Sequence, residues 1–177
     1  TMKLMFVINS LNLGGAERML VKILSAPDFT EDEVLVVVLQ SFGELTNDVI
    51  SAGHKVVHLN VTKSIVGYIR LAKLPILMRR FQPDVIHSWL YHSDLASGVS
   101  ASFAVKAPII WSIRQTDISF AYNRFATVLC AKLCALLSRY VPYAIISNAS
   151  ASRDSHVALG YDKAKIAVIP NGIDLKS

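Results

Sequence analysis

At 177 residues, 53% of them apolar, the chain has the length of one domain. It is richer in apolar side chains than an average globular protein, as a sheet covered on both faces, a large interface or a membrane-facing patch requires. The net charge is +5. No uncharged apolar run of about 18 residues occurs, which excludes a membrane-spanning helix. Thr1-Met2-Lys3 leads straight into a strand-like segment, so no secretory signal is expected.

In chain order, 3–9 (KLMFVIN) reads as a short strand and 11–15 as a loop. Ala16, Leu20, Ile23 and Leu24 then recur at helical spacing. Segment 33–39 (EVLVVVL) is almost wholly apolar, as a buried parallel strand is. A short helix over 46–52 stops at Gly53, and 55–59 is a third strand. The spacing predicts a helix over 64–81, started anew or kinked at Pro75. A fourth strand covers 84–89, a helix with small residues at Ala96, Ser97, Gly98 and Ser100 covers 93–104, and a fifth strand covers 108–113. A long helix over 120–140 and a sixth strand over 143–147 follow. Ser150 is expected to cap a helix that Gly160 ends, and 166–169 is a last strand. Strands alternating with helices across short connections mean a doubly wound, Rossmann-like α/β domain with a mostly parallel sheet of about seven strands. In such folds ligands bind beyond the carboxyl ends of the strands.

Charge and cysteines add two constraints. Residues 26–54 hold six acids and no Lys or Arg, whereas 63–82 hold five bases and no acids; this asymmetry points to an anionic partner on one side. If 63–80 is one continuous helix, Lys63, Arg70, Lys73 and Arg80 share an arc of about 100° beside an apolar face. Arg124, Lys132 and Arg139 would form a second stripe. Basic stripes beside apolar faces suit an anionic membrane surface, and equally suit core helices whose cations reach past apolar surface to water. Cys130 and Cys134, four apart on one helical face, read as core thiols of a protein in a reducing cytosol. No metal-ligand spacing is present, and neither aromatic–basic interleaving nor a known module points to nucleic acid.

Four loops at predicted strand ends carry the candidate chemistry. Gly14-Gly15 opens a helix directly after the first strand; bare backbone N–H groups at a helix start can receive an anion, and a simple tight turn is the other reading. The spacing is not that of a dinucleotide fingerprint, and Gln40-Ser41 ends the second strand where a dehydrogenase would place an acid. His87-Ser88-Trp89-Leu90-Tyr91-His92-Ser93-Asp94 offers an aromatic face and hydroxyl partners suited to a sugar. Alternatively, Ser93 or Asp94 caps the helix and Trp89 fills the core. Arg114, followed by Gln115, can clamp a phosphate or carboxylate or pair with Asp117. Asn148 lies where the sixth strand meets its helix, a position that also suits capping. Val168-Ile169-Pro170-Asn171-Gly172 has the strand–Pro–turn pattern with which a domain closes and a linker begins.

Taken together, these residues resemble family-4 GT-B glycosyltransferases. Leu13-Gly14-Gly15-Ala16-Glu17-Arg18 is similar to the family's glycine loop. Pro83 through Asp94 and Trp111-Ser112-Ile113-Arg114-Gln115 resemble its lipopolysaccharide and O-antigen branch. Ser147 through Val157, Gly160-Tyr161, Lys165-Ile166 and Val168 through Asp174 resemble the approach to its interdomain hinge.

The resemblance implies an N-terminal, acceptor-side Rossmann-like domain over 1–169, with the interdomain linker beginning at 170–177 and hinge residues Asn171 and Gly172. The C-terminal donor domain is not in this sequence. The implied activity is transfer of a sugar, with retention of configuration, from a nucleotide-sugar donor to a glycan or lipid-linked acceptor. No metal or cofactor is implied, and the domain alone is not expected to turn over. Gly14 and Gly15 would approach the donor diphosphate. Trp89, His92, Asp94, Gln115 and Asn148 would face the acceptor. Arg114 stands where many members carry a His, and is the candidate catalytic residue. Lys63, Arg70, Lys73 and Arg80 would face a membrane, placing the enzyme in the cytoplasm at the inner face of the plasma membrane. A stand-alone binding or membrane-docking module is the alternative.

Overall fold

The computed structural model describes residues 1–115 and 125–172. Seven strands, all parallel, form one sheet: β1 (Lys3–Ile8), β2 (Glu33–Val38), β3 (Lys55–His58), β4 (Val85–Trp89), β5 (Ile109–Ile113), β6 (Ala144–Ser147) and β7 (Ile166–Val168). Their order is β3-β2-β1-β4-β5-β6-β7. The chain winds outward from β1 to one edge, returns to β4 and winds to the other edge. The order therefore reverses beside β1, at the junction with β4.

That reversal decides which helices cover which face. Helices α1 (Gly15–Leu24) and α2 (Thr46–Ser51) pack Leu20, Leu24 and Val49 with Phe6, Ile8, Val34, Val36, Val38 and Trp89 on one face. On the other face lie α4 (Lys73–Phe81), reached through the single helical turns α3 (Ile65–Ile69) and Arg70–Ala72, then α5 (Tyr91–Ala104) and α6 (Phe125–Leu137). Leu74, Met78, Ala101, Ala131, Cys134 and Ala135 from these helices meet Met5, Val7, Leu35, Val37, Ile86, Trp111 and Ile145. The two apolar sets alternate along β1 and β2, which is why those strands read as continuous apolar runs. Helix α7 (Ser150–Leu159) ends at Gly160, whose φ of 111° is the left-handed conformation that favours glycine.

Three local readings are corrected. The 64–81 segment is not one helix: α3 ends at Ile69, a 3₁₀ turn follows, and α4 begins at Lys73, with Pro75 in its first turn, where its missing N–H breaks no helical bond. Gly67 packs so close to Thr62 that a Cβ there would meet that residue's backbone, which fixes the short turn. The single arc of Lys63, Arg70, Lys73 and Arg80 therefore does not exist. The helix after β4 starts at Tyr91 rather than Ser93, and its preceding residue Leu90 carries a positive φ of 72°. Helix α7 has Ala149 at its N-cap with no side-chain capping bond, so Ser150 does not cap it. The predicted helix start at 120–124, with Arg124, and the residues Asp117, Ile173 and Asp174 lie outside the described residues. Cys134 is buried and Cys130 partly so, both as free thiols.

The outer surfaces of α3 to α6 are unusually apolar. Ile65 is 82% exposed, Ile69 65%, Phe103 60% and Leu136 71%. Lys63, Lys73, Arg80, Lys106 and Arg139 are exposed around them. Among the described residues, the one acid on these helices is Asp94, and it is buried.

Candidate functional site

The carboxyl ends of β1, β4 and β5 are neighbours. Ile8 pairs with Trp89, and Trp89 with Ser112. The glycine loop after β1, the turn after β4 and Arg114 after β5 therefore open on the same edge of the sheet, at the reversal of strand order where such folds bind ligands.

The glycine loop is held from two sides. Gly14 is the N-cap of α1 in an extended conformation and has no side-chain cap. Its carbonyl accepts the first helical bond, from Arg18 N–H at 3.0 Å. Ser10 Oγ donates to Glu17 Oε1 at 3.1 Å, and a Cβ at Gly14 would run into the Glu17 carboxylate. Gly15 is exposed, and a Cβ there would meet nothing within 4 Å. The loop after β2 braces this segment: Leu45 N–H donates to Leu11 O at 2.8 Å, and Leu13 N–H donates to Glu44 Oε2 at 3.2 Å. Gly43 makes that contact possible, because a Cβ there would lie 2.6 Å from the Leu11 carbonyl carbon. The glycine loop thus already presents a backbone N–H to a carboxylate oxygen. Glu44 and Gly43 were not singled out from the sequence; Gln40-Ser41 was read as the end of the second strand, but nothing after it marked a backbone contact with Leu11.

From β4 an aromatic column rises to the same edge. Alternation along β4 sends His87 and Trp89 to the α1 face. The His87 ring lies 5.4 Å from Phe6 and 5.5 Å from Trp89. His87 Nε2 and Ser112 Oγ are 2.7 Å apart. Burial, seconded by the positive charge of Arg114, lowers the His87 pKa to about 3, so the imidazole is neutral. The Arg114 guanidinium carbon sits 4.1 Å from the Trp89 ring centroid, a cation–π stack on a residue with no exposed surface. Arg114 Nη1 donates to Asn171 Oδ1 at 2.6 Å. Its Nε is buried with no partner among the described residues.

Two predicted acceptor residues lie inward, Trp89 through the alternation of β4 and Asp94 through the early start of α5. Trp89 is fully buried under Arg114, and Asp94 is fully buried beneath β4. Ser88 Oγ donates to Asp94 Oδ1 at 2.5 Å. Burial raises the Asp94 pKa well above the usual carboxylate range, against the opposing pull of the Ser88 hydroxyl and the Ser112 backbone. A carboxyl in this position ties β4 to α5 and does not face an acceptor in this structure. His92, Gln115 and Asn148 are partly exposed, and burial lowers the His92 pKa. Gln115 is fixed by its backbone, whose carbonyl accepts from Ser152 Oγ at 2.7 Å. Ser152 sits on α7, where the His156 ring links its own helix to α5: Nδ1 donates to Ser152 O and Nε2 accepts from Tyr91 Oη, each at 2.7 Å.

Lys63 lies in the loop beyond the carboxyl end of β3, Arg70 follows α3, and Lys73 and Arg80 lie on α4. Arg70 Nη1 is turned to Asn60 O at 2.8 Å. Among the described residues, no three His, Cys, Asp or Glu side chains gather as metal ligands, and no helix is long and apolar enough to cross a membrane.

A wholly parallel doubly wound sheet, with a glycine loop and a stacked cation at its reversal point, defines a Rossmann-like domain of the kind that forms half of a GT-B fold. Residues 13–177 match the profile of Glycosyltransferase Family 4, and the chain belongs to that family. Among solved structures, it is similar to HepE of Anabaena in complex with UDP-glucose, with a TM-score of 0.79 at 20% identity, covering 98% of this chain and 45% of that one. It is also similar to the apo form of the lipopolysaccharide outer core galactosyltransferase WaaB (TM-score 0.70, 13% identity, 99% and 47% covered). A third similar structure is the UDP-GlcNAc 2-epimerase of Methanocaldococcus jannaschii (TM-score 0.63, 14% identity, 96% and 46% covered). The chain spans less than half the length of these neighbours. A search of the curated proteins gives no match.

Proposed function

We propose that this chain is the N-terminal, acceptor-side half of a retaining hexosyltransferase that moves a sugar from a nucleotide-sugar to a cell-surface glycan or lipid-linked acceptor, without a metal or cofactor. The observation that carries the reading is the family match laid over this edge. The match begins at Leu13, inside the loop whose backbone N–H receives a carboxylate oxygen. The complex of HepE with UDP-glucose and the lipopolysaccharide outer core galactosyltransferase WaaB support the donor and acceptor classes.

Breaking the donor's sugar–phosphate bond builds negative charge on the departing diphosphate. Backbone N–H groups fixed at the start of α1 are suited to stabilise that charge once a second domain closes and excludes water. Gly14 and Gly15 allow the approach because neither carries a side chain. His92, Gln115 and Asn148, the partly exposed polar groups near the edge, are the proposed acceptor contacts, and Asn171-Gly172 the proposed hinge. The apolar and basic outer surface of α3 to α6, with Lys63, Arg70, Lys73 and Arg80, favours work at the inner, anionic face of the plasma membrane.

The test is nucleoside-diphosphate release by the full-length protein across a panel of sugar nucleotides with lipid-linked and glycan acceptors. One donor should be turned over and the isolated 177-residue chain should be silent. Gly15→Val should lower turnover ~10-fold or more with the melting temperature unchanged, since its side chain would project into open space. Binding of a sugar nucleotide or acceptor with no product from any pair would support the stand-alone binding module instead.

A further inference from the structure

We propose that Arg114 is a positioning residue whose task is to clasp the chain where it leaves the sheet. The last ladder bond of the domain is Ile169 N–H to Ser147 O at 2.8 Å. Pro170 follows and has no N–H to give, and Asn171 and Gly172 are exposed. Among the described residues, the one hydrogen bond that holds 170–172 is that from Arg114 Nη1 to Asn171 Oδ1, at 2.6 Å across 57 residues.

The anchor end of this clasp is rigid. The guanidinium carbon sits over the Trp89 ring at 4.1 Å from its centroid, Trp89 packs against His87, and His87 against Phe6, a column rooted in the α1-face core. A buried Nε without a partner is costly, so the orientation of the guanidinium is set by the stack below it and Asn171 beside it. A lysine could supply the charge but not the planar face and fork together. The path of the chain from the end of β7 to Asn171 is therefore set from β5. Under the proposed transferase reading, which this inference deepens, the clasp sets the seat of the donor-side domain relative to the acceptor edge. Arg114 then acts on the linker rather than on the reacting atoms.

The experiment is hydrogen exchange of peptides spanning 169–177 in the full-length protein, run on wild type, Asn171→Ala, Arg114→Ala, the double variant and Asn171→Asp. Loss of a charge-assisted bond predicts about tenfold faster exchange in either single variant. The double variant should exchange no faster than the singles, because all three lack the same bond. Asn171→Asp, which substitutes a carboxylate for the amide oxygen, should exchange no faster than wild type and should retain wild-type kcat and KM. Asn171 is exposed at the end of the domain, so its replacement leaves the core intact even if Arg114→Ala fails to fold. Wild-type exchange in Asn171→Ala, or additive effects of the two substitutions, would overturn the clasp. An absence of glycosyl transfer in wild type would sink the transferase reading and leave these exchange rates to be judged alone.

Discussion

His87 shows how a single side chain ties pH to folding. Its imidazole titrates near 3 in the folded protein, chiefly because of burial and secondarily because of Arg114, against about 6.5 when unfolded. As pH falls, the unfolded chain takes up that proton first. The stability linked to the neutral ring is complete above about pH 6.5 and lost progressively toward pH 3. His87→Gln, which keeps a polar partner for Ser112 Oγ, should therefore show a shallower fall in melting temperature between pH 7 and 4 than wild type. Parallel curves would mean that the ring protonates without resistance in the folded state. The sequence marked 87–94 as chemically rich but could not say which groups face outward. Leu90 adopts a positive φ, which a non-glycine residue seldom does, so the helix begins at Tyr91 and carries Asp94 inside. The stack of Arg114 on Trp89 was equally illegible, since it joins residues 25 apart through strand register.

The elements were far more legible than their contacts. Short, mostly apolar runs in α/β alternation identify seven strands, because a parallel strand buried on both faces has few polar positions to confuse the pattern. The basic segment misled because helical periodicity survives across a short 3₁₀ turn in sequence but not in space. Gly98 illustrates what an element's small residues do. A Cβ there would lie 2.9 Å from Val141 Cγ1 and 3.1 Å from Trp111 Cζ2, so α5 rests directly on the β5 indole. Gly98→Ala should cost about 1–3 kcal/mol by overpacking, against the gain in helix propensity that an exposed glycine would show. A thermal or urea melt of the variant decides it; an unchanged or raised midpoint would mean that Trp111 and Val141 give way freely.

For the whole molecule, the division of surface is the governing feature: a polar, glycine-lined edge at the strand ends, and an apolar, basic helical layer on one face. If that layer docks on lipid, the full-length protein should float with vesicles containing anionic lipid at low salt. It should stay behind with neutral vesicles, and detach as added salt screens the attraction. Lys63, Lys73 and Arg80 changed together to Glu should abolish flotation without altering the melt, because all three are exposed. Flotation that persists in the triple variant would assign binding to another surface.

The order of the strands also has a consequence for synthesis. Strand β1 pairs with β2 on one side, but its other neighbour is β4, and Lys3 N–H reaches Asp84 Oδ2 across 81 residues. A nascent chain that has emerged only through β3 holds the apolar strand β1 with one hydrogen-bonding edge vacant. The ribosome must deliver Trp89 before that edge can be sealed. Between those two moments the open edge of β1 is free to pair with other chains.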